Sequence, residues 1–422
     1  MTKKIVFILF MGGMPLLAGP AFSQDATPSM TLDQCLAEAF ASHPLLRAAA
    51  LDVTAAEARV RQAKALAQPS FDLDMDLQPK FMDFRGSGES YAGLSWTFDF
   101  PGKRGLRGKI AGREADAVRD DLDLLRLEIG FQVREAFYRI LLAQEILRYA
   151  EQDRDLSKDF LDRATVKYEA GDVAEMEVVR ARVEAAKAVN IVRVAENDLR
   201  LSRARLNTAL SRPPAGVLAV QGDFRKDGPS VPASKLTTRA LEARPELRRL
   251  SREIDGERLR ERLGLLAYLP DPTVGLAKHR LAGEPTTWDF TLSLPLPLFF
   301  WQPKSGEIAE ARAIRKALEE RGQALARAVG LEVEEAYAEA QIAAGQIALF
   351  EGEILSQAED AYEKFLFSYQ QGEIGGIELI EARRTLLDVR RSYAEVLYTF
   401  NVALAALEKS VGAPLEGISH EQ

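Results

Sequence analysis

Two segments of the chain alternate strictly between apolar and polar residues, which is the pattern of a β-strand with one face in an apolar environment and the other in water. Within residues 71–77 every odd position is apolar and every even position is aspartate. Within residues 92–100 the even positions are apolar and the odd ones are small or polar. Each segment therefore predicts a strand, and a polar loop over residues 79–90 separates the two.

A second pair of alternating segments occurs in the other half of the chain. Val274 and Leu276 mark a weak strand, and residues 288–296 mark a strong one. The strong segments, at residues 92–100 and 288–296, have about the nine or ten residues that a tilted strand needs to cross a bilayer. Strands of a soluble antiparallel sheet show the same alternation, so the pattern alone leaves that alternative open.

Long proline-free stretches follow each strand pair. No proline occurs within residues 102–212 or 304–413, and apolar residues recur at spacings of three and four. This pattern predicts helices over residues 106 to about 168 and 306 to about 369, each roughly 90 Å long at 1.5 Å per residue. Each helix is predicted to turn back at a glycine, Gly171 or Gly372, and to form an antiparallel hairpin with the next helix.

The chain repeats itself at one fixed offset of 201 residues. Three separate motifs match at this offset, so chance is a poor explanation, and the chain is predicted to contain two copies of one structural unit. The matched residues are His43-Pro44 with Arg244-Pro245, Tyr168 and Gly171 with Tyr369 and Gly372, and Glu177, Ala181 and Arg182 with Glu378, Ala382 and Arg383.

These patterns divide the chain into five parts. Residues 1–23 have the basic start, the apolar run and the small residues before Gln24 that indicate a cleaved secretory signal peptide, and the run is too short for a membrane anchor. Residues 24–212 form the first repeat, which opens with a helical segment broken near Pro44. Residues 213–234 are a connector rich in proline and glycine, residues 235–415 form the second repeat, and residues 416–422 are a C-terminal tail.

Composition excludes several classes of function. The net charge of −8 makes nucleic acid an unsuitable partner, and a single cysteine, Cys35, permits no internal disulfide. Cys35 lies in a helical segment beyond the signal peptide, so we expect a buried structural thiol and no lipid attachment. The three histidines, His43, His279 and His420, are far apart, and no nucleophile elbow or phosphate loop occurs. The sequence therefore predicts that the protein has no metal site and no cofactor and is not an enzyme.

Four membrane strands cannot exist alone, because the backbone groups of the sheet edges would lie unpaired in hydrocarbon. Even small bacterial barrels need eight strands. We therefore expect the chain to oligomerise, and three copies would supply twelve strands. Asp72, Asp74 and Asp76 would then face a water-filled lumen, since charges on the lipid face are costly.

These features together resemble the TolC-like outer membrane factors, the exit ducts of tripartite efflux pumps and type I secretion systems. The resemblance covers essentially the whole mature chain. It rests on the strand pairs and on the two Tyr-x-x-Gly tips. It also rests on Thr31-Leu32 and on His43-Pro44, which has its counterpart in Arg244-Pro245. The short chain and the junction at residues 100–104 look more like the CzcC-like branch associated with cobalt–zinc–cadmium resistance.

The resemblance implies the fold and the partners. The fold would be an α+β membrane protein in which a trimer completes a 12-stranded barrel and continues as a helical coiled-coil tunnel through the periplasm. The chain would serve an RND-type tripartite system as a passive duct in the outer membrane, with a periplasmic adaptor and an inner membrane pump as partners. The substrate would be heavy-metal cations, with drug efflux and type I protein secretion as alternatives.

The resemblance also assigns roles to residues near the two helical tips. Glu378 and Glu381 match the acidic positions that narrow the periplasmic end, and their spacing of three places them on one helical face. Acidic residues near a helix N-terminus are also explained by the helix dipole alone. The tips themselves are expected to contact the adaptor, or else to be plain turns; they comprise Tyr168, Gly171, Asp172, Tyr369, Gly372 and Glu373.

Two other classes of protein are alternatives. A soluble periplasmic coiled-coil adaptor would also contain long helical hairpins, but it should have one hairpin flanked by compact β-domains. A secreted hydrolase would have little use for such helices and would need a constellation of catalytic residues that the sequence lacks.

Overall fold

The computed structural model describes residues 29–76, 88–296 and 304–415. Four segments lie outside the described residues: 1–28, which includes the predicted signal peptide, 77–87, 297–303, and 416–422, which is the predicted tail. Within the described residues the elements follow the same order in each half of the chain, except that the long helix of the second half is divided into α7 and α8. They are α1 (Leu32–Ser42), α2 (Pro44–Ala63), β1 (Ser70–Asp76), β2 (Glu89–Thr97), α3 (Lys103–Ala170), α4 (Glu175–Ala209), α5 (Ala233–Ala243), α6 (Pro245–Leu266), β3 (Thr273–Leu281), β4 (Thr287–Ser293), α7 (Lys304–Leu349), α8 (Leu355–Gln371) and α9 (Gly376–Val411).

The first two helices are separated where the sequence predicts a break. Thr31 caps α1 with a reciprocal pair of hydrogen bonds to Gln34, which satisfies backbone donors of the first turn. His43 ends α1, and Pro44 begins α2 because a first helical position needs no amide hydrogen. Cys35 of α1 is fully buried, and burial raises the pKa of its thiol to about 11. The predicted structural thiol is confirmed.

The long helices form two antiparallel hairpins. Helix α3 has 68 residues, which is roughly 100 Å of helix, and it returns as α4 to form the first hairpin. The second hairpin consists of α8 and α9, and α7 runs into α8 through one π-helical turn at Phe350–Ile354. The second long helix, predicted over residues 306 to about 369, is therefore helical throughout, and an extra residue enters its hydrogen-bond ladder at this turn. There the Glu351 carboxylate accepts hydrogen bonds from Lys226 Nζ, at 2.7 Å, and from the Tyr393 hydroxyl, at 2.6 Å.

The four strands form one antiparallel sheet in the order β1-β2-β3-β4. Strand β2 begins and ends three residues before its predicted range. It ends early because the Phe100 amide bonds to the Asp271 side chain instead of a neighbouring strand. Strand β4 ends at Ser293, before its predicted limit, since Pro295 has no amide hydrogen to donate to a ladder.

Helix α3 is the centre of the helical part and contacts α1, α2, α4, α6 and α9. One hydrophobic core surrounds Val133, Phe137 and Ile140 of α3, with Cys35 and Leu206 packed against them. A second core joins α5, α7 and α9. Within the described residues no helix is both long and apolar enough to cross a membrane.

Candidate functional site

The sheet separates acidic and apolar side chains onto its two faces. Cross-strand pairing places Asp72 opposite Gly93, Gly93 opposite Ala277, and Ala277 opposite Asp289. Because residues paired across strands share a face, this register settles which face each side chain occupies. The acidic face carries every carboxylate of the described strands, namely Asp72, Asp74, Asp76, Glu89 and Asp289. The apolar face carries Phe71, Leu73, Leu94, Trp96, Leu276, Trp288, Phe290 and Leu292, and most of these side chains are exposed.

The acidic face includes one histidine. His279 Nε2 lies 2.8 Å from Glu89 Oε1, and His279 Nδ1 lies 3.8 Å from Asp289 Oδ2. Among the residues that the structure describes, no group of three or more histidine, cysteine or carboxylate side chains could hold a metal ion. His43 instead caps α2, where its Nδ1 accepts a hydrogen bond from the Leu45 amide at 3.3 Å, and His420 lies outside the described residues.

The junction between sheet and helices is built around one buried lysine. Lys103 Nζ donates to Asp271 Oδ1 at 2.8 Å and to the Leu269 carbonyl at 2.7 Å. Partial burial favours a higher pKa for Asp271, but hydrogen bonds from Lys103 and the Phe100 amide outweigh it and hold this pKa below its usual range. The basic segment at residues 102–104 thus lies at the junction between β2 and α3.

The two hairpins turn at the predicted glycines. Gly171 ends α3 with φ of 84°, and Gly372 ends α8 with φ of 80°, both in the left-handed region that favours glycine. The amides of Asp172 and Glu373 each donate to a carbonyl five residues back, at 2.9 Å in both turns. The six tip residues therefore form two turns of the same type, and both tips lie on the exposed surface of the chain except for Tyr369.

Tyr369 links the two hairpins. Its side chain is only 1% exposed, and its hydroxyl donates to Glu177 Oε1 of α4 at 2.8 Å. Lys167 of α3 donates to the Tyr369 carbonyl at 2.7 Å and also lies 4.2 Å from the centre of its ring. Burial and the neighbouring Glu177 raise the pKa of Tyr369 well above its ordinary value, so the hydroxyl keeps its proton and remains a donor.

The repeat-related Tyr168 does not make the equivalent contact. It is 43% exposed, although the sequence gives the two tyrosines the same position before their glycines. The two turns are thus alike in backbone geometry and different in side-chain packing. Gly376, at the start of α9, allows this helix to approach Phe160 closely. A Cβ at this position would lie only 2.8 Å from the Phe160 ring.

Glu378 and Glu381 lie on the first turns of α9 and are exposed. Glu381 Oε1 accepts a hydrogen bond from Arg384 at 2.9 Å, and Arg384 also bonds to Glu184 of α4 at 2.8 Å. The predicted acidic pair therefore has a cation one helical turn away. Glu177, which is equivalent to Glu378 in the repeat, is engaged with Tyr369 instead.

A buried ion network ties α9 to both helices of the first hairpin. Arg383 Nη1 lies 3.0 Å from Asp153 Oδ1 of α3, and Arg383 Nη2 lies 3.3 Å from Glu184 Oε2 of α4. The side chains of all three are at most 10% exposed. Burial raises the pKa of Asp153, with the nearby Glu184 acting in the same direction. Burial also opposes ionisation of Glu184, but bonds from Lys187 and Arg384 lower its pKa below the usual value.

Sequence reasoning did not find several of these residues. The sequence marks Arg383 only as the repeat equivalent of Arg182, which is exposed. No local sequence pattern distinguishes Asp153, Glu184, Lys167 or Phe160, because charged and aromatic residues are common along long helices. The glycine pair at residues 375 and 376, directly after the second tip, was the one available sign of a close approach.

Comparisons with known proteins agree with this architecture. The cobalt-zinc-cadmium resistance protein CzcC of Cupriavidus metallidurans is 26% identical to this chain, over 93% of the chain and 92% of CzcC. The outer membrane protein TolC of Salmonella enteritidis is 24% identical, over 94% of the chain and 86% of TolC. A solved structure of CusC has a TM-score of 0.76 at 16% identity, covering 90% of this chain and 92% of that chain.

The class of protein is therefore an outer membrane channel with long helices in the periplasm and a small β part. A model of the outer membrane efflux protein family matches residues 35–212 and 239–413. The chain belongs to this family. The resemblance inferred from the sequence is confirmed, including the likeness to the branch associated with cobalt–zinc–cadmium resistance.

Proposed function

We propose that three copies of this chain form the outer membrane duct of a tripartite efflux system that exports heavy-metal cations. The observation that supports the proposal is the sheet. Among the described residues, β1 and β4 are both open edges of this sheet, while one face is apolar and the other acidic. In a bilayer the open edges must pair with further strands. Closure by three copies would turn the apolar face toward lipid and the acidic face, with Asp72, Asp74 and Asp76, toward a lumen.

Exposed apolar stripes on the helices support the same assembly. Helix α4 exposes Met176, Val179, Val183, Val194 and Leu201, whose spacings place them on one side of the helix. Helix α7 exposes Leu331, Ile342 and Leu349, which also share one side. Stripes of this length on a single chain indicate surfaces covered by a partner, and neighbouring copies in a helical tube would cover them.

The acidic face predicts cation selectivity, which tests the duct directly. In planar bilayers the purified protein should form trimeric pores that prefer cations. Changing Asp72→Asn, Asp74→Asn and Asp76→Asn together should lower the cation-to-anion permeability ratio by about twofold or more, because rings of carboxylates attract cations. The matched variant with glutamate at the same three positions should keep the preference. Absence of a trimer or of any pore would refute the proposed duct.

The periplasmic end is proposed to be narrowed by Glu378 and Glu381 of three copies. Replacing both with serine should raise single-channel conductance roughly twofold or more, since six charged side chains would leave the constriction. Glu175→Ser, an exposed acidic change on the first turn of α4, is the control and should leave conductance unchanged. Unaltered conductance in the double variant would remove the two glutamates from the constriction.

The remaining parts of the proposal concern partners and cargo. The two tips, with Tyr168, Gly171 and Asp172 on one hairpin and Tyr369, Gly372 and Glu373 on the other, would dock a periplasmic adaptor that is joined to an inner membrane pump. CzcC is by its name a cobalt-zinc-cadmium resistance protein, and together with the acidic face this favours divalent cations as cargo.

A susceptibility panel on a deletion strain tests the cargo. Sensitivity confined to zinc, cobalt, cadmium or copper is the expected result, with full rescue by the intact gene on a plasmid as the control. Sensitivity to antibiotics or detergents instead would keep the duct and overturn the metal assignment, and a defect in protein export would favour type I secretion.

A further inference from the structure

The apolar face of the sheet carries two basic residues at one end. Lys278 lies between Ala92 of β2 and Trp288 of β4, and Arg280 lies opposite Ser90 of β2. Both basic side chains are exposed. Every carboxylate of the described strands occupies the opposite face, so no strand carboxylate lies beside either basic residue.

The connectivity shows at which end of the sheet this pair lies. Strands β2 and β4 lead toward α3 and α7 at their C-terminal ends, and β3 follows α6 at its N-terminal end. Lys278 and Arg280 are near the opposite end of β3, next to the hairpin at residues 282–286. If the helices extend into the periplasm, this end of the sheet faces the cell exterior.

The neighbouring residues show the depth of the pair in the bilayer. From Lys278 toward the helices, the apolar face continues with Leu276, Phe290 and Leu292. Trp288 is level with Lys278, and tryptophan is enriched where hydrocarbon meets the headgroups. Lysine and arginine on a lipid-facing strand are costly at the bilayer centre and tolerated near the interfaces. In the proposed barrel, the pair therefore lies at the level of the outer headgroups.

We propose that Lys278 and Arg280 bind the phosphate groups of a phosphorylated lipid of the outer leaflet. The inference rests on the proposed closure of the sheet into a membrane barrel. The two residues are two positions apart on one strand, so their Cα atoms are about 7 Å apart, which suits headgroup phosphates held side by side. Arginine offers a planar fork for phosphate oxygens, lysine offers a compact charge, and Trp288 supplies a flat apolar surface beside them.

Native mass spectrometry of the purified trimer in detergent, titrated with bisphosphorylated lipid A, tests the proposal. The variant with Lys278→Gln and Arg280→Gln should bind this lipid roughly 30-fold more weakly than the wild type, as expected for the loss of two charges at a membrane surface. The variant with Lys278→Arg and Arg280→Lys should retain binding. Lys235→Gln with Arg239→Gln removes the same charges from the exposed face of α5 and should bind as the wild type does.

The wild type also provides a test that needs no variant. It should bind dephosphorylated lipid A much more weakly than the bisphosphorylated form, because the phosphates are the proposed ligands. Equal binding of the two lipids, or full binding by the glutamine variant in a sample that contains trimers and conducts in bilayers, would overturn the lipid site and leave the duct intact. A wild type that neither forms trimers nor conducts would overturn the duct and this inference together.

Discussion

Replacing Tyr369 with phenylalanine is expected to shift the channel toward a state with separated tips. The substitution keeps the ring, and with it the packing against Phe160 and Lys167, but removes the hydroxyl that donates to Glu177. A hydrogen bond to a charged group contributes about 1.5–3 kcal/mol. If the two hairpins of each copy must part for the tips to open, the ratio of open to closed channels should rise at least about tenfold, because each of the three copies loses this bond.

Single-channel recordings of purified Tyr369→Phe in planar bilayers measure this ratio directly. The matched control is Tyr168→Phe, which makes the same chemical change at the repeat-related position, where the side chain is exposed. The control should behave as the wild type. If both variants open equally, or if neither does, the bond between Tyr369 and Glu177 does not hold the tips together.

Replacing Arg383 with methionine is expected to cause the largest loss of stability. The change leaves the Asp153 carboxylate buried without its cation and takes one of two arginine partners from Glu184. Breaking a buried ion pair by removing one member costs about 3–5 kcal/mol, because the remaining charge stays in a poorly solvated place. The melting temperature of the purified trimer, followed by circular dichroism, should fall clearly.

Two further variants distinguish this explanation from a general effect of losing arginine. Arg182→Met changes the exposed, repeat-related arginine and should melt close to the wild type. Adding Asp153→Leu to Arg383→Met should recover much of the loss, since replacing both members of a buried pair with apolar groups is often nearly neutral. An Arg182 variant that is as unstable as the Arg383 variant would contradict the role of the network.

Much of the fold follows from local patterns in the chain. Alternation over residues 71–77 predicts β1 because a strand exposes successive side chains to opposite faces. The two tip glycines were predicted for an equally local reason, since a left-handed turn penalises any residue with a Cβ. Strand limits were less accurate, because the end of β2 depends on a bond from the Phe100 amide to Asp271, which is distant in sequence.

The functional residues also divide into those that the sequence alone identifies and those that require the structure. The acidic character of positions 72, 74 and 76 is visible in the sequence, and so is the acidic pair at 378 and 381. The strand register is required to show that Glu89 and Asp289 share the face of those aspartates and that Lys278 and Arg280 occupy the other. A shift of one residue in pairing would reverse this arrangement.

Periodicity, proline and glycine are local properties, so the linear order of residues was sufficient to specify helices, strands, turns and the duplicated plan. The difference between the two repeats was not visible in that linear order. Tyr168 and Tyr369 occupy equivalent positions, as do Arg182 and Arg383, yet only the second member of each pair is buried. Burial depends on which helices pack together, and α9 packs against α3 only in the folded chain. The packing of the hairpins therefore decided which copy of each repeated residue forms a link between them.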